Sequence, residues 1–326
     1  MATAENAKIQ YEGGQNQIPM SALIDSGDAT VFESGVELWS RRSGFEPVVR
    51  PDGLITGANI TPAAGGQNDA VDVSALTAYV NGETVVAAAK TGLTCARASV
   101  DTHIVYSICV DSTGAITAVA GSEGTAFTSD RGTAGGPPYV PVGSVELGQV
   151  RLSSATPAPI KESEIYQVVG VHQERYDFPI YNVDYRNGEV HFNSPLPLIH
   201  TGDKPKGVFA SYAEPIFADV PKGTDFQPSE TSHSVSSTQI YGTTLGSTSS
   251  TLNQASFTAY LNDGVTDGLV KLKNEILWFK FFPNRFQSSY ILEQGKLGIT
   301  RTFPAGDEIQ ASCTISPESA GVEVTA

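Results

Sequence analysis

Between residues 266 and 316 the spacing of apolar positions changes three times, and each change marks an element. Leu269, Leu272 and Ile276 recur at helical spacing behind Asp267, an N-cap residue type, with Val270 and Leu277 widening the stripe. This predicts a short helix, to which Asp267 and Lys271, four apart with the acid first, add a little. The period falls to two over residues 278–282, and Pro283-Asn284 breaks the run. Two alternating runs follow. In the first, Leu297, Ile299 and Phe303 share a face with Arg301, while Thr300 and Thr302 take the other. In the second, Ile309, Ala311, Cys313 and Ile315 face one way and Gln310, Ser312 and Thr314 the other. Pro304-Ala305-Gly306-Asp307 between them reads as a hairpin turn. The expected contact of helix and sheet is a core of Leu269, Leu272, Ile276, Ile299, Ile309 and Cys313.

The rest of the chain reads as four segments. Residues 1–50 are a polar arm and first strands, with a short strand expected at 36–40. Residues 51–160 form a small all-β module: Asn81-Gly82 is a hairpin signal, 103–110 a strand, Asp111 to Gly114 a turn, and 140–152 a closing strand. A Pro/Ala/Ser linker at 153–161 leads into 161–206, a connector with strands of its own that fits either neighbour. Residues 207–326 form the C-terminal domain. Within it, the Ser/Thr-rich run at 228–256 has the composition of a solvated loop.

Composition narrows the class. The 326 residues include 32 Gly, only 17% are charged, and long helical patterns are rare, so the fold class is mostly β. A net charge of −15 argues against a surface that grips nucleic acid, because that affinity comes from Lys and Arg on phosphates. Cys95, Cys109 and Cys313 are an odd count without close pairs, not a disulfide framework. The start of the chain has no signal-peptide pattern and no apolar run is long enough to span a membrane, which fits synthesis in a reducing cytoplasm.

Chemistry is sparse. His103, His172, His191, His200 and His233 lack the mutual spacing of a local metal site, and no catalytic or phosphate-binding motif is present. Neither a catalytic residue, a metal nor a cofactor is expected. A glycosidase needs only two carboxylates at a set separation, which linear sequence does not reveal in a β-protein. The aromatic run Trp278-Phe279-Lys280-Phe281-Phe282, with a single Lys on a half-buried strand, reads as core and not as a base-stacking platform.

The order of short helix, strand and closing hairpin, with Gly298-Ile299-Thr300-Arg301-Thr302-Phe303-Pro304 followed by the alternating run 309–315, resembles the C-terminal half of the tail-tube fold of tailed bacteriophages. Members of that family carry G-x-[ST]-x-[ST]-x-P at this point. The likeness covers roughly the last third of the chain. It implies a C-terminal tail-tube β-sandwich or barrel with one short helix, beside an N-terminal all-β, sandwich-like domain that resembles small β-modules of phage tail proteins and fibres. It also implies a non-enzymatic virion protein, assembled in the host cytoplasm, whose hexameric rings stack into a tube that conducts DNA. The large outward domain favours a non-contractile tail. Thr300, Thr302, Gln310, Ser312 and Thr314 would then line the lumen. The 228–256 run would contact neighbouring subunits through Ser234, Ser236, Ile240, Tyr241 and Leu245. Partners implied are further copies of the chain, a tape-measure protein, transiting DNA held without specific binding, and baseplate and tail-terminator proteins. Two alternatives stand beside this: a baseplate or distal tail ring protein, which reuses the fold, and a receptor- or glycan-binding tail protein.

Overall fold

Strands dominate the chain, and the only α-helix among the described residues is the single turn Gly268–Lys271. The computed structural model describes residues 4–241 and 243–325, apart from the side chains of Ala4, Thr238, Ile240, Thr244 and Leu245. Among the described residues no sheet closes into a barrel, and no helix is long and apolar enough to cross a membrane. The chain divides into two compact units. One comprises Met1–Ile18, Leu38–Pro47 and Tyr212–Ala326, and the other Pro19–Glu37 and Val48–Ser211. These limits differ from the four expected segments: the first 18 residues belong with the C-terminal domain, and residues 161–206 fall in the same unit as 51–160.

The sheet of the first unit runs Gly223–Gln227, Ala255–Tyr260, Gln310–Pro317, Tyr290–Thr302, Ile276–Phe282, Lys8–Ala22 and Val208–Asp219, the last two strands having residues in both units. Its alternation is that of a sheet with one buried face. Leu297 and Ile299 pair with Ile315 and Cys313, and these in turn with Ala255 and Phe257. All six are buried, together with Leu277, Phe279, Ile9 and Tyr11. Leu269 and Leu272, on and just after the helical turn, close this core. Each fully buried Leu, Ile or Phe contributes about 1.5–3 kcal/mol.

The helix is shorter than its apolar spacing predicts. Asn274 takes φ +72°, its N–H donates to the carbonyl of Leu297, and the N–H of Leu297 donates to Glu275. Pairing with the neighbouring strand thus captures the chain before a second turn forms. Ile276 consequently opens a strand and is half-buried, not on a helical stripe. Asp267 occupies the N-cap position, but its carboxylate accepts from the N–H groups of Asn262, Asp263 and Gly264 in the preceding loop. At the hairpin turn the alternation also stops early. Ile309 precedes its strand and is half-buried, and Phe303 lies beyond Thr302, where its strand ends, and is 57% exposed.

The second unit holds four small antiparallel sheets, three of which surround a common core. Ile104–Asp111 lies between Ile116–Ala120 and Ser144–Leu152, and Leu76–Val80 between Gly53–Gly57 and Glu83–Ala87. Ile108, Val110, Leu147, Leu152, Leu54 and Val80 are buried in that core. Asn81 and Gly82 both take positive φ in the expected hairpin turn. The strand expected at 36–40 is absent; Val31–Glu33 pairs instead with Glu189–Phe192.

Candidate functional site

Backbone register, not local sequence, assembles the polar face expected at the closing hairpin. Thr300 lies opposite Ser312, Ser312 opposite Thr258, and Thr258 opposite Thr224, a row of four hydroxyls across four strands. A second row holds Gly298, Thr314, Ser256 and Gln227, and a third Thr302, Gln310 and Tyr260. Thr300, Thr302 and Ser312 are exposed, while Gln310 and Thr314 are half-buried. These rows contain no carboxylate, ammonium or guanidinium group; Lys296, opposite Ser316, flanks them. Gly298 has a steric reason to be glycine, because a Cβ there would stand 2.5 Å from Thr314 Oγ1. Chemically the face offers neutral hydrogen-bond donors and acceptors, with an apolar core directly behind it.

The Ser/Thr-rich run is a β-ribbon and not an irregular loop. Thr231–Ile240 and Thr243–Leu252 pair antiparallel over ten positions and, among the described residues, join no other strand. Ser234 meets Ser249, and Ser236 meets Ser247, with hydroxyl oxygens 2.7 Å apart. Ser234, Ser236 and Tyr241 are exposed, and Val235 is 75% exposed. The side chains of Ile240 and Leu245 lie outside the described residues. A two-stranded hairpin bare on both faces is marginal in water on its own. At one end of the same unit's sheet, Gly223–Gln227 is an edge strand with one side unpaired.

Sequence reading missed a buried ionic network in the second unit. Glu146 is buried, accepts from Ser107 Oγ at 2.6 Å and from Gln149 Nε2 at 3.1 Å, and pairs with Arg131. Its backbone N–H donates to Glu174, whose other oxygen meets His200 Nε2 at 3.0 Å. Burial alone would lower the His200 pKa, but the bond to Glu174 and that carboxylate's charge outweigh it and hold the imidazole above its ordinary value. Burial pushes Asp52 up to about 7 and Lys206 down to about 8. Lys206 Nζ donates to the carbonyls of Arg175 and Phe178. The adjoining cavity, lined by Glu146, Glu174 and Lys206, measures about 30 Å³, room for one or two waters and not for a substrate. Its members lie far apart along the chain, so no spacing announces them. All three cysteines are free and buried, and burial holds Cys95 and Cys313 at about 12.

No protein-family model, curated protein or solved structure matches the chain.

Proposed function

We propose that this chain is a structural subunit of a bacteriophage tail tube, in which hexameric rings stack into a conduit for DNA. The observation that carries the reading is the polar face of the closing hairpin, whose three rows of Thr, Ser and Gln hold no charged group on an otherwise acidic protein, with Lys296 at their flank. Phosphate affinity comes from Lys and Arg, so such a lining lets DNA slide. The unpaired edge of the sheet and the bare ribbon add two surfaces that further copies of the chain would cover, and ring closure would remove the exposed edge. In this reading the second unit decorates the outside of a non-contractile tail and the protein is not an enzyme. A tape-measure protein fills the lumen before DNA passes, and baseplate and terminator proteins close the ends. Assembly takes place in the host cytoplasm and the product resides in the virion tail.

Negative-stain electron microscopy of the full-length protein at increasing concentration tests this. Rings stacking into long tubes are expected. Single rings that never stack would assign the protein to a baseplate or distal tail ring. A persistent monomer or trimer would overturn both readings and direct attention to saccharide and cell-surface binding.

A further inference from the structure

We infer that the second unit carries a binding site for a first-row divalent cation, formed by Asp184, Glu189 and His191 and completed by Glu33. The hairpin of Tyr181–Asp184 and Glu189–Phe192 places Asp184 directly opposite Glu189, and the next strand places Glu33 directly opposite Glu189 on its other side. Three carboxylates thus stand in one row across three adjacent strands. His191 sits two residues beyond Glu189 on the same face, its Nε2 2.6 Å from Glu189 Oε2. That face is open: Glu33 is exposed and the other three are half-buried, while Val190, Phe32 and Phe192 bury the opposite face. Like charges directly opposite each other destabilise a sheet, and among the described residues no Lys or Arg pairs with any of the three carboxylates. A cation would relieve that repulsion.

One donor atom each from Asp184, Glu189 and His191 lies within 4.8 Å of the others. Donors about 2.1 Å from a tetrahedral ion are separated by roughly 3.4 Å, a gap that rotamer changes of half-exposed side chains can close. Asp184 is already oriented, since its carboxylate accepts from the N–H groups of Arg186 and Asn187 and from Asn187 Nδ2. Two or three carboxylates and one imidazole suit Zn2+ or Mn2+ better than Ca2+ or Mg2+, which prefer oxygen alone. Such an ion would staple on this face three strands whose side chains otherwise meet on the opposite one, where Phe192 packs against Phe32 and Tyr181.

Equilibrium dialysis of the tag-free, metal-stripped full chain against Zn2+ tests the site, in parallel with His191→Ala, Glu189→Gln and Asp184→Asn. The last keeps the Oδ1 acceptor for the two backbone N–H groups of the turn and so guards against a folding defect. The expected result is one Zn2+ per chain, weakened about tenfold or more in every variant, with a zinc-dependent rise in thermal midpoint that the variants lose. No stoichiometric zinc on the native chain, or binding equally tight in the variants, would overturn the assignment. The buried cysteines do not compete as ligands.

Discussion

The indole N–H of Trp278 donates to the backbone carbonyl of Trp39 at 2.8 Å, across 239 positions of chain. Trp39 is fully buried and stacks on Tyr212 with ring centroids 4.6 Å apart. Beside them, buried Glu12 accepts from Ser40 Oγ, Gln15 Nε2 and the backbone N–H of Trp278. The short segment Leu38–Pro47 is therefore tied to the sheet by specific hydrogen bonds as well as by apolar contact.

Replacing Trp278 by Phe keeps an aromatic ring but leaves the Trp39 carbonyl without its donor. The expected loss is about 1–3 kcal/mol in urea unfolding followed by tryptophan fluorescence, since Trp39 remains as the reporter. An unchanged midpoint would show that water takes the place of the indole.

A sharper test of the closing hairpin is Gly298→Ala. The new Cβ meets Thr314 Oγ1 at 2.5 Å, so the substitution should destabilise by about 1–3 kcal/mol. Thr314→Ala removes the obstructing oxygen and should restore most of that loss in the double variant. Additive effects of the two changes would contradict the register that pairs these residues.

How far these features were legible in the sequence depends on how local their causes are. Leu297, Ile299, Ala311, Cys313 and Ile315 announce their face because a strand's side chains alternate whatever surrounds it, and Pro304 to Asp307 marks the turn between them. The spacing of Leu269, Leu272 and Ile276 fits a helix equally well, yet the backbone bonds joining Asn274 and Glu275 to Leu297 override it. The ribbon is hidden for another reason: Ser and Thr on both faces leave no apolar period to read. Glu12, Trp39, Glu174 and His200 meet partners from distant parts of the chain, and no window of sequence contains both ends of those contacts.

The ionic network should give the second unit a distinctive pH response. Burial raises the Asp52 pKa to about 7, against the opposing N–H groups of Gly82 and Asn81, with Glu174 adding to the rise and His200 countering it. The folded chain therefore holds a proton that the unfolded chain releases near pH 4. Stability from this group is fully present below that pH and is lost as pH rises towards 7. His200, also raised, acts in the same direction: its contribution is present below about 6.5 and lost as pH climbs through its folded value. Asp52→Asn should flatten the dependence between pH 4 and 7. Both tryptophans lie in the other unit, so hydrogen exchange of the buried amides of Ile108 and Leu147 is the appropriate probe. A slope unchanged by the substitution would move the titration to another member of the network.

Charge placed on the hydroxyl rows tests their assignment to a lumen. Thr302→Lys and Thr314→Lys each add an ammonium to a face that carries none in its three rows. Ring and tube assembly should persist, and DNA ejection from particles carrying either variant should slow, because each lysine can engage a phosphate. Unchanged ejection with both variants would remove these residues from the DNA path.

The ribbon provides the cleanest separation of folding from assembly. Its described side chains are almost all exposed, and none belongs to the first unit's core cluster. Replacing residues 233–250 by Asn-Gly retains the pairs Thr231 with Leu252 and Ser232 with Thr251, and supplies a turn suited to a two-residue hairpin. Fluorescence-detected unfolding of the shortened chain should match the native protein within about 0.5 kcal/mol, as expected for surface residues outside any packed cluster. Sedimentation velocity should then show the monomer at concentrations where the native chain forms rings. Rings from the shortened chain would mean that the sheet edge at Gly223–Gln227 suffices for association, and the ribbon's role would shift to stacking one ring on the next.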